Sequence, residues 1–77
     1  MYKVYAIKSK IRKYIYVGMT SNIEERIERH NRGYEKTTRA YRPFELIYTE
    51  DQATREEARK REKYFKSGVG KEFLKKM

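Results

Sequence analysis

Glu62 stands where a carboxylate is costly. A helix is expected from about Thr54 to Lys66, with Ala58 and Phe65 as its apolar stripe. Glu62 lies four residues after one and three before the other, so it points along the core-facing side of an otherwise charged helix. An unpaired carboxylate in that position has to be ion-paired, hydrogen-bonded or bound to a metal. The residues alone leave open whether Glu62 is a structural ion-pair member or a ligand. Glu56 and Glu57 need no such account, because the first turn of a helix favours acids. Arg26 and His30 form an i, i+4 pair beside the Ile23/Ile27 stripe of an earlier helix. Arg26 reads either as a stem-packed, solvated side chain or as a catalytic cation.

Other chemistries are excluded by residue type. One histidine and no cysteine rule out a zinc site of the usual kind. No serine or cysteine has a credible histidine partner for nucleophilic catalysis. The string Gly68-Val69-Gly70-Lys71 resembles part of a phosphate-binding loop, but Phe65 stands at the first glycine position and Glu72 at the hydroxyl position, and the string follows a helix. It reads better as a helix stop or a close backbone approach.

These candidates need elements to carry them. Tyr2–Lys8 alternates, with Lys3, Tyr5 and Ile7 on one face and Tyr2, Val4 and Ala6 on the other. After a polar stretch, Tyr14–Gly18 reads as the second arm of an antiparallel hairpin, with Tyr14, Tyr16 and Gly18 opposite Ile15 and Val17. Thr20, Ser21 and Asn22 are candidate N-caps for a helix from about Ile23 to Asn31, and Gly33 is its candidate C-cap. A basic loop to Arg42 and Pro43 precedes a third strand, Phe44–Thr49. Thr54-Arg55-Glu56-Glu57 is a capping box for the Glu62 helix. Ser67–Gly70 is expected to break that helix before a short last one from Lys71, anchored by Phe73 and Leu74. The order β-β-α-β-α-α implies one α+β domain over residues 1–77, a three-stranded, mainly antiparallel sheet flanked by helices.

Twenty Lys and Arg against eleven Asp and Glu leave a net charge of +9 on 77 residues, which points to a polyanionic partner, nucleic acid above all. Lys36, Arg39 and Arg42 in the basic loop are the expected nucleic-acid contacts outside any catalytic site. The alternating N-terminus does not read as a signal peptide, and no apolar run approaches the ~20 residues of a membrane span. Without cysteines the chain suits a reducing compartment. A cytoplasmic protein with no membrane partner and no small-molecule cofactor is the expectation; the sequence leaves the oligomeric state open.

Lys3-Val4-Tyr5 followed by Tyr16-Val17-Gly18, then Arg26, His30 and Glu62 in that order, resembles the signature of the GIY-YIG nuclease superfamily. The tail from Arg61 through Leu74 is similar to the small stand-alone bacterial members, and the resemblance spans nearly the whole chain. Two departures stand out: Lys3 replaces the first glycine, and Lys71–Lys75 holds no asparagine where larger members carry one.

The resemblance implies a metal-dependent endonuclease acting on DNA phosphodiesters. Glu62 would hold one Mg²⁺ or Mn²⁺ recruited with the substrate, a role that suits a hard ion retaining most of its waters. Arg26 would stabilise phosphoryl charge. Tyr5, or a water it orients, would take the proton of the attacking water, its pKa lowered by nearby cations. Tyr16 would position the nucleophile or phosphate, and His30 would assist proton transfer. The alternative implied by the same scaffold is a non-catalytic nucleic-acid-binding module.

Overall fold

The computed structural model describes Met1–Met77. Its elements are β1 (Tyr2–Ser9), β2 (Ile15–Thr20), α1 (Ile23–Arg32), β3 (Phe44–Gln52), α2 (Arg55–Lys66) and α3 (Gly68–Lys75), with a short 3-10 turn at Arg39–Tyr41 inside the basic loop. The expected α+β class and element order hold. The sheet order is β2-β1-β3 and both pairings are antiparallel, so β1 is the central strand. No helix is long and apolar enough to cross a membrane.

Because β1 is central, both of its faces are covered, and strand parity divides the core in two. Val4 and Ala6 pack with Val17, Ala58, Phe65 and Leu74 beneath α2 and α3. Tyr5 and Ile7 pack with Phe44 on the other face, against Tyr14, Tyr16, Ile23, Ile27 and Tyr41. The parity read from the sequence therefore holds strand by strand. Burying apolar surface on two sides of so short a chain supplies most of the driving force for folding.

Local signals place the helices. Of the three candidate caps, Asn22 is the one used: its side chain accepts a hydrogen bond from the Glu25 amide at 3.2 Å. Gly33 closes α1 in the left-handed conformation, φ 81°. Thr54 accepts from the Glu57 amide at 3.2 Å, as the capping box requires.

The last helix begins earlier than expected. Gly68 and Gly70 lie inside α3, and Ser67 alone separates it from α2, with its hydroxyl accepting from the Gly70 amide. Gly70 permits this join. A Cβ at Gly70 would sit 2.2 Å from the Tyr64 carbonyl oxygen, so the two helices touch through backbone. Leu74 is buried and anchors α3, whereas Phe73 stays 43% exposed and lays its edge against Tyr48, 5.6 Å between ring centres.

Candidate active site

Tyr5 and Gly18 face one another across the β1–β2 ladder. The tyrosine side chain runs outward over the glycine: a Cβ placed on Gly18 would lie 2.6 Å from Tyr5 Oη and 2.7 Å from Cζ. No residue but glycine leaves the ring this path. Tyr16, on the same face of β2, sits with its ring centre 6.4 Å from that of Tyr5.

His30 comes in from α1 and is the only buried residue of that helix, 1% exposed. Its Nε2 lies 2.9 Å from Tyr5 Oη and its Nδ1 lies 2.8 Å from Thr38 Oγ1. Both ring nitrogens are thus satisfied inside the protein, by two hydroxyls that are themselves buried. His30 does not lie beside the apolar stripe, as the sequence suggested, but in it. It follows Ile23 by seven residues and Ile27 by three, a helical spacing that would have revealed this position. Thr38 carried no signal of its own.

The electrostatics follow from burial. Burial pushes the Tyr5 phenol well above its ordinary range. Tyr16 adds to the rise, and the Arg26 guanidinium opposes it without cancelling it. The expectation that nearby cations lower this pKa is therefore not met in the free protein, where desolvation outweighs them. Tyr16 is also raised, by burial first and by the Glu62 carboxylate second, with Arg26 again opposing. Burial lowers the His30 pKa, so the ring is held neutral; Glu35 opposes this and Arg26 and Arg29 reinforce it.

Glu62 reaches the site from α2. Its side chain is 16% exposed, 3.8 Å from Arg59 Nε and 3.5 Å from Lys66 Nζ. The same Lys66 ammonium lies 5.8 Å from the centre of the Tyr16 ring, which ties the carboxylate to the tyrosine site. Arg26 is partly buried and forms no ion pair with Glu62. The structural partners of Glu62 are instead two helix neighbours one turn away, both about half exposed. These contacts are longer than the ~2.8 Å of a tight charge-assisted bond and leave carboxylate lone pairs free.

What fixes α2 is a different acid. Glu50 on β3 accepts from Arg61 Nε at 2.6 Å and Nη2 at 3.0 Å, and also from the Tyr48 hydroxyl and the Gln52 amide. The Arg61 hydrogen bonds hold the Glu50 carboxyl below its ordinary pKa. This bidentate clamp joins strand to helix and sets where Glu62 sits.

Tyr5, Tyr16, Arg26, His30 and Glu62 therefore converge from four elements, joined by Gly18 of the Tyr16-Val17-Gly18 motif and by Thr38, which the sequence did not single out. They form two layers. Tyr5, His30 and Thr38 make a buried inner chain; Tyr16, Arg26, Glu62 and Lys66 make a partly exposed rim. Lys36, Arg39 and Arg42 are exposed around the 3-10 turn that delivers Thr38, and none is ion-paired. Arg42 Nη1 donates to the Arg39 carbonyl at 2.9 Å, which holds those two together.

This arrangement has relatives. The GIY-YIG catalytic domain profile matches residues 1–76. A UPF0213 protein of Clostridium perfringens is 42% identical over 64 residues, 82% of this chain and 68% of that protein. UPF0213 protein YazA of Bacillus subtilis is 40% identical over 63 residues, 80% of this chain and 63% of that protein. The match to a UPF0213 protein of Bacillus licheniformis spans 55% of that protein's length, so the chain corresponds to part of some relatives. The solution NMR structure of the UPF0213 protein BH0048 from Bacillus halodurans superposes with a TM-score of 0.57 at 35% identity, covering 96% of this chain and 82% of that one. With a profile that runs the length of the chain and a hairpin–helix–helix site in its expected order, this protein belongs to the GIY-YIG family.

Proposed function

We propose that this protein is a divalent-metal-dependent endonuclease that hydrolyses phosphodiester bonds in DNA. The observation that carries the reading is the meeting of a half-buried carboxylate, Glu62, with Tyr16 and the Tyr5–His30 pair at one place on a strongly basic surface. That combination serves hydrolysis of an anionic ester better than it serves the fold, since Glu62 has only weak, exposed partners.

The donor set suits a hard ion bound through one carboxylate. No three acidic or histidine side chains converge anywhere, and Glu62 offers free lone pairs. Glu62 would hold an Mg²⁺ or Mn²⁺ ion, which would supply Lewis-acid stabilisation to the substrate phosphate. The remaining work falls to the chain. Arg26 faces the phosphoryl oxygens with a charge that desolvation strengthens. Tyr16 orients the phosphate or the attacking water.

Tyr5 accepts a proton from that water as its own moves to His30 Nε2, in the tautomer where Nδ1–H donates to Thr38. The transfer avoids a free phenolate, which burial disfavours. Glu35, which favours the charged imidazole, partly offsets the cost of forming it. Lys36, Arg39 and Arg42 hold flanking phosphates.

Branched, flapped, nicked and linear DNAs incubated with and without Mn²⁺ test the proposal, with Glu62→Gln as the control. The expected result is metal-dependent cleavage of at least one substrate by the native protein, and almost none by the variant, which still folds and binds DNA. Binding without cleavage of any substrate would make the protein a nucleic-acid-binding module instead.

A further inference from the structure

Part of the uncompensated charge of this protein lies away from the catalytic rim. Between the hairpin end and α3 lies an open groove of about 550 Å³, lined by Lys8, Lys13, Tyr14, Ile15, Lys71 and Lys75. Strand parity explains its position. Lys8 follows Val4 and Ala6 on the helix-covered face of β1, and Ile15 is its cross-strand partner on β2. Lys71 and Lys75 are one turn apart on α3, whose Leu74 is buried in the same core. The core thus ends at Ile15, and four lysines line the space beyond it.

Those groups have little to neutralise them. The protein forms seven side-chain ion pairs, and only one involves the groove, Lys75 with Glu72 at 3.4 Å, where both side chains are more than 60% exposed. Lys8, Lys13 and Lys71 have no carboxylate within 4 Å. Glu45 stands across from Lys8 on β3 but makes no ion pair with it. No acid lines the groove. Four like charges around one cavity repel one another, and nothing in the fold gains from gathering them.

We infer that this groove is a second nucleic-acid site, which grips the sugar-phosphate backbone of a DNA segment other than the one being cut. The inference rests on the nuclease reading only in taking DNA as the polyanion. Lysines supply charge without the planar fork that clamps one phosphate or reads a base pair bidentately, and the Tyr14 hydroxyl is the one other polar side-chain group lining the groove. Its ligand is therefore backbone, recognised without regard to sequence. Lys71 and Lys75 lie on α3, which contributes nothing to the catalytic rim, and Lys8 lies on the opposite sheet face from Tyr5 and His30, so the groove meets phosphates other than the scissile one. Tyr14 borders the groove and stacks on Tyr41 at 4.0 Å between ring centres, within the 3-10 turn that also holds Arg39. One basic track can run from α3 around the hairpin end to the loop at Arg42.

The experiment is a salt titration of binding to a fluorescent duplex DNA, comparing the native protein with Lys8→Ala/Lys13→Ala/Lys71→Ala/Lys75→Ala, with thermal melts of both. Each lost contact should flatten the log–log slope by about 0.9, so the variant is expected to lose about 2 to 3 from the slope and ~10-fold or more in affinity at moderate salt. Inorganic phosphate and phosphatidylglycerol vesicles serve as competing probes and are expected to bind the groove weakly or not at all. If the quadruple variant does not melt like the native protein, the exposed pair Lys13→Gln/Lys71→Gln is read in its place, with a slope change of about 1 to 2. An unchanged slope in a folded variant, or saturable capture of phosphate or vesicles that needs the four lysines while DNA binding does not, overturns the inference. Cleavage is scored separately: a native protein that cuts nothing but shows the slope change loses the nuclease reading and keeps the groove.

Discussion

The Tyr5 hydroxyl and the His30 imidazole, twenty-five residues apart in sequence, meet at 2.9 Å through Nε2, and neither side chain reaches bulk water. A histidine so placed is held neutral. Because burial lowers its folded pKa below the ordinary 6.5, the neutral ring stabilises the fold fully above about pH 6.5, and that contribution is lost as pH falls through the lower folded value. His30 is the only histidine, so ¹⁵N spectra of the imidazole report on it without assignment. The expected spectrum at pH 6.5 is that of a predominantly neutral ring in one dominant tautomer. A protonated ring at that pH would refute the buried chain.

Thr38 tests what the other ring nitrogen contributes. Its hydroxyl, 2.8 Å from Nδ1, is fully buried and gives that nitrogen a partner, as acceptor or as donor. Thr38→Val keeps the shape and removes the partner. Stability is expected to fall by about 1 to 3 kcal/mol, since a buried nitrogen is left without a bond. Cleavage of any accepted substrate should fall ~10-fold or more in kcat with little change in KM. Thr38→Ser should restore both the stability and the rate. A valine variant with native kcat would make Thr38 purely structural.

Gly18 gives a prediction whose sign separates two accounts. In an ordinary strand position, glycine-to-alanine stabilises by about 0.5 to 1 kcal/mol. Here the new methyl meets the Tyr5 ring end at 2.6–2.7 Å, too close to be absorbed without moving the hydroxyl from His30. Gly18→Ala is expected to lower the melting temperature and to cut cleavage strongly, and the His30 ¹⁵N signals should shift. A stabilised, fully active alanine variant would mean that Tyr5 has another route to its position.

The elements were legible because each had a local signal: the Asn22 and Thr54 caps, the Gly33 stop, and the alternation of Val4, Tyr5, Ala6 and Ile7 that assigns the two cores. Glu62 was legible because Ala58 and Phe65 define a helical stripe around it. Thr38 was not, because it lies in a loop without periodicity and reaches Nδ1 only through the folding of its own turn, where its amide bonds the Glu35 carbonyl at 3.2 Å. The Glu50–Arg61 clamp joins a strand to a helix eleven residues on, a pairing that composition cannot reveal. The expected break at Ser67–Gly70 occurs but is narrower, at Ser67 alone, for a related reason. Glycine is unfavourable in a helix in isolation, and only the contact with the Tyr64 backbone makes its absent side chain an advantage.

That clamp should govern acid stability. Glu50 has a depressed pKa in the fold, so its contribution is present above about pH 4.5 and disappears as pH falls through the lower folded value. Glu50→Gln is expected to cost about 1 to 3 kcal/mol near neutrality, the range for hydrogen bonds to a charged group. The variant should also lose part of the native protein's stability change below pH 4.5. Denaturant melts between pH 3 and pH 7 measure both. A variant with a native pH profile would remove the clamp as the main tie between β3 and α2.

Arg26 carries the sharpest separation of fold from chemistry. A buried partner of Glu62 and a cation for a phosphoryl group would respond in opposite ways to one substitution. The ion pairs of Glu62 run to Arg59 and Lys66 instead, so removing Arg26 strands no carboxylate. Its charge acts on Tyr5 and Tyr16, opposing the rise that burial imposes on both phenols. Arg26→Ala is therefore expected to change stability by no more than ~1 kcal/mol, the scale of a partly exposed charge. Cleavage should fall by ~10² to 10³, the cost of losing one electrostatic contact made in the transition state. DNA affinity should drop far less, with one phosphate contact gone from the salt slope. Melts, salt titrations and single-turnover cleavage on one preparation decide the matter. A loss of ~3 kcal/mol or more would show that Arg26 holds the fold through a buried charge pair, and native cleavage in a stable variant would remove it from the site.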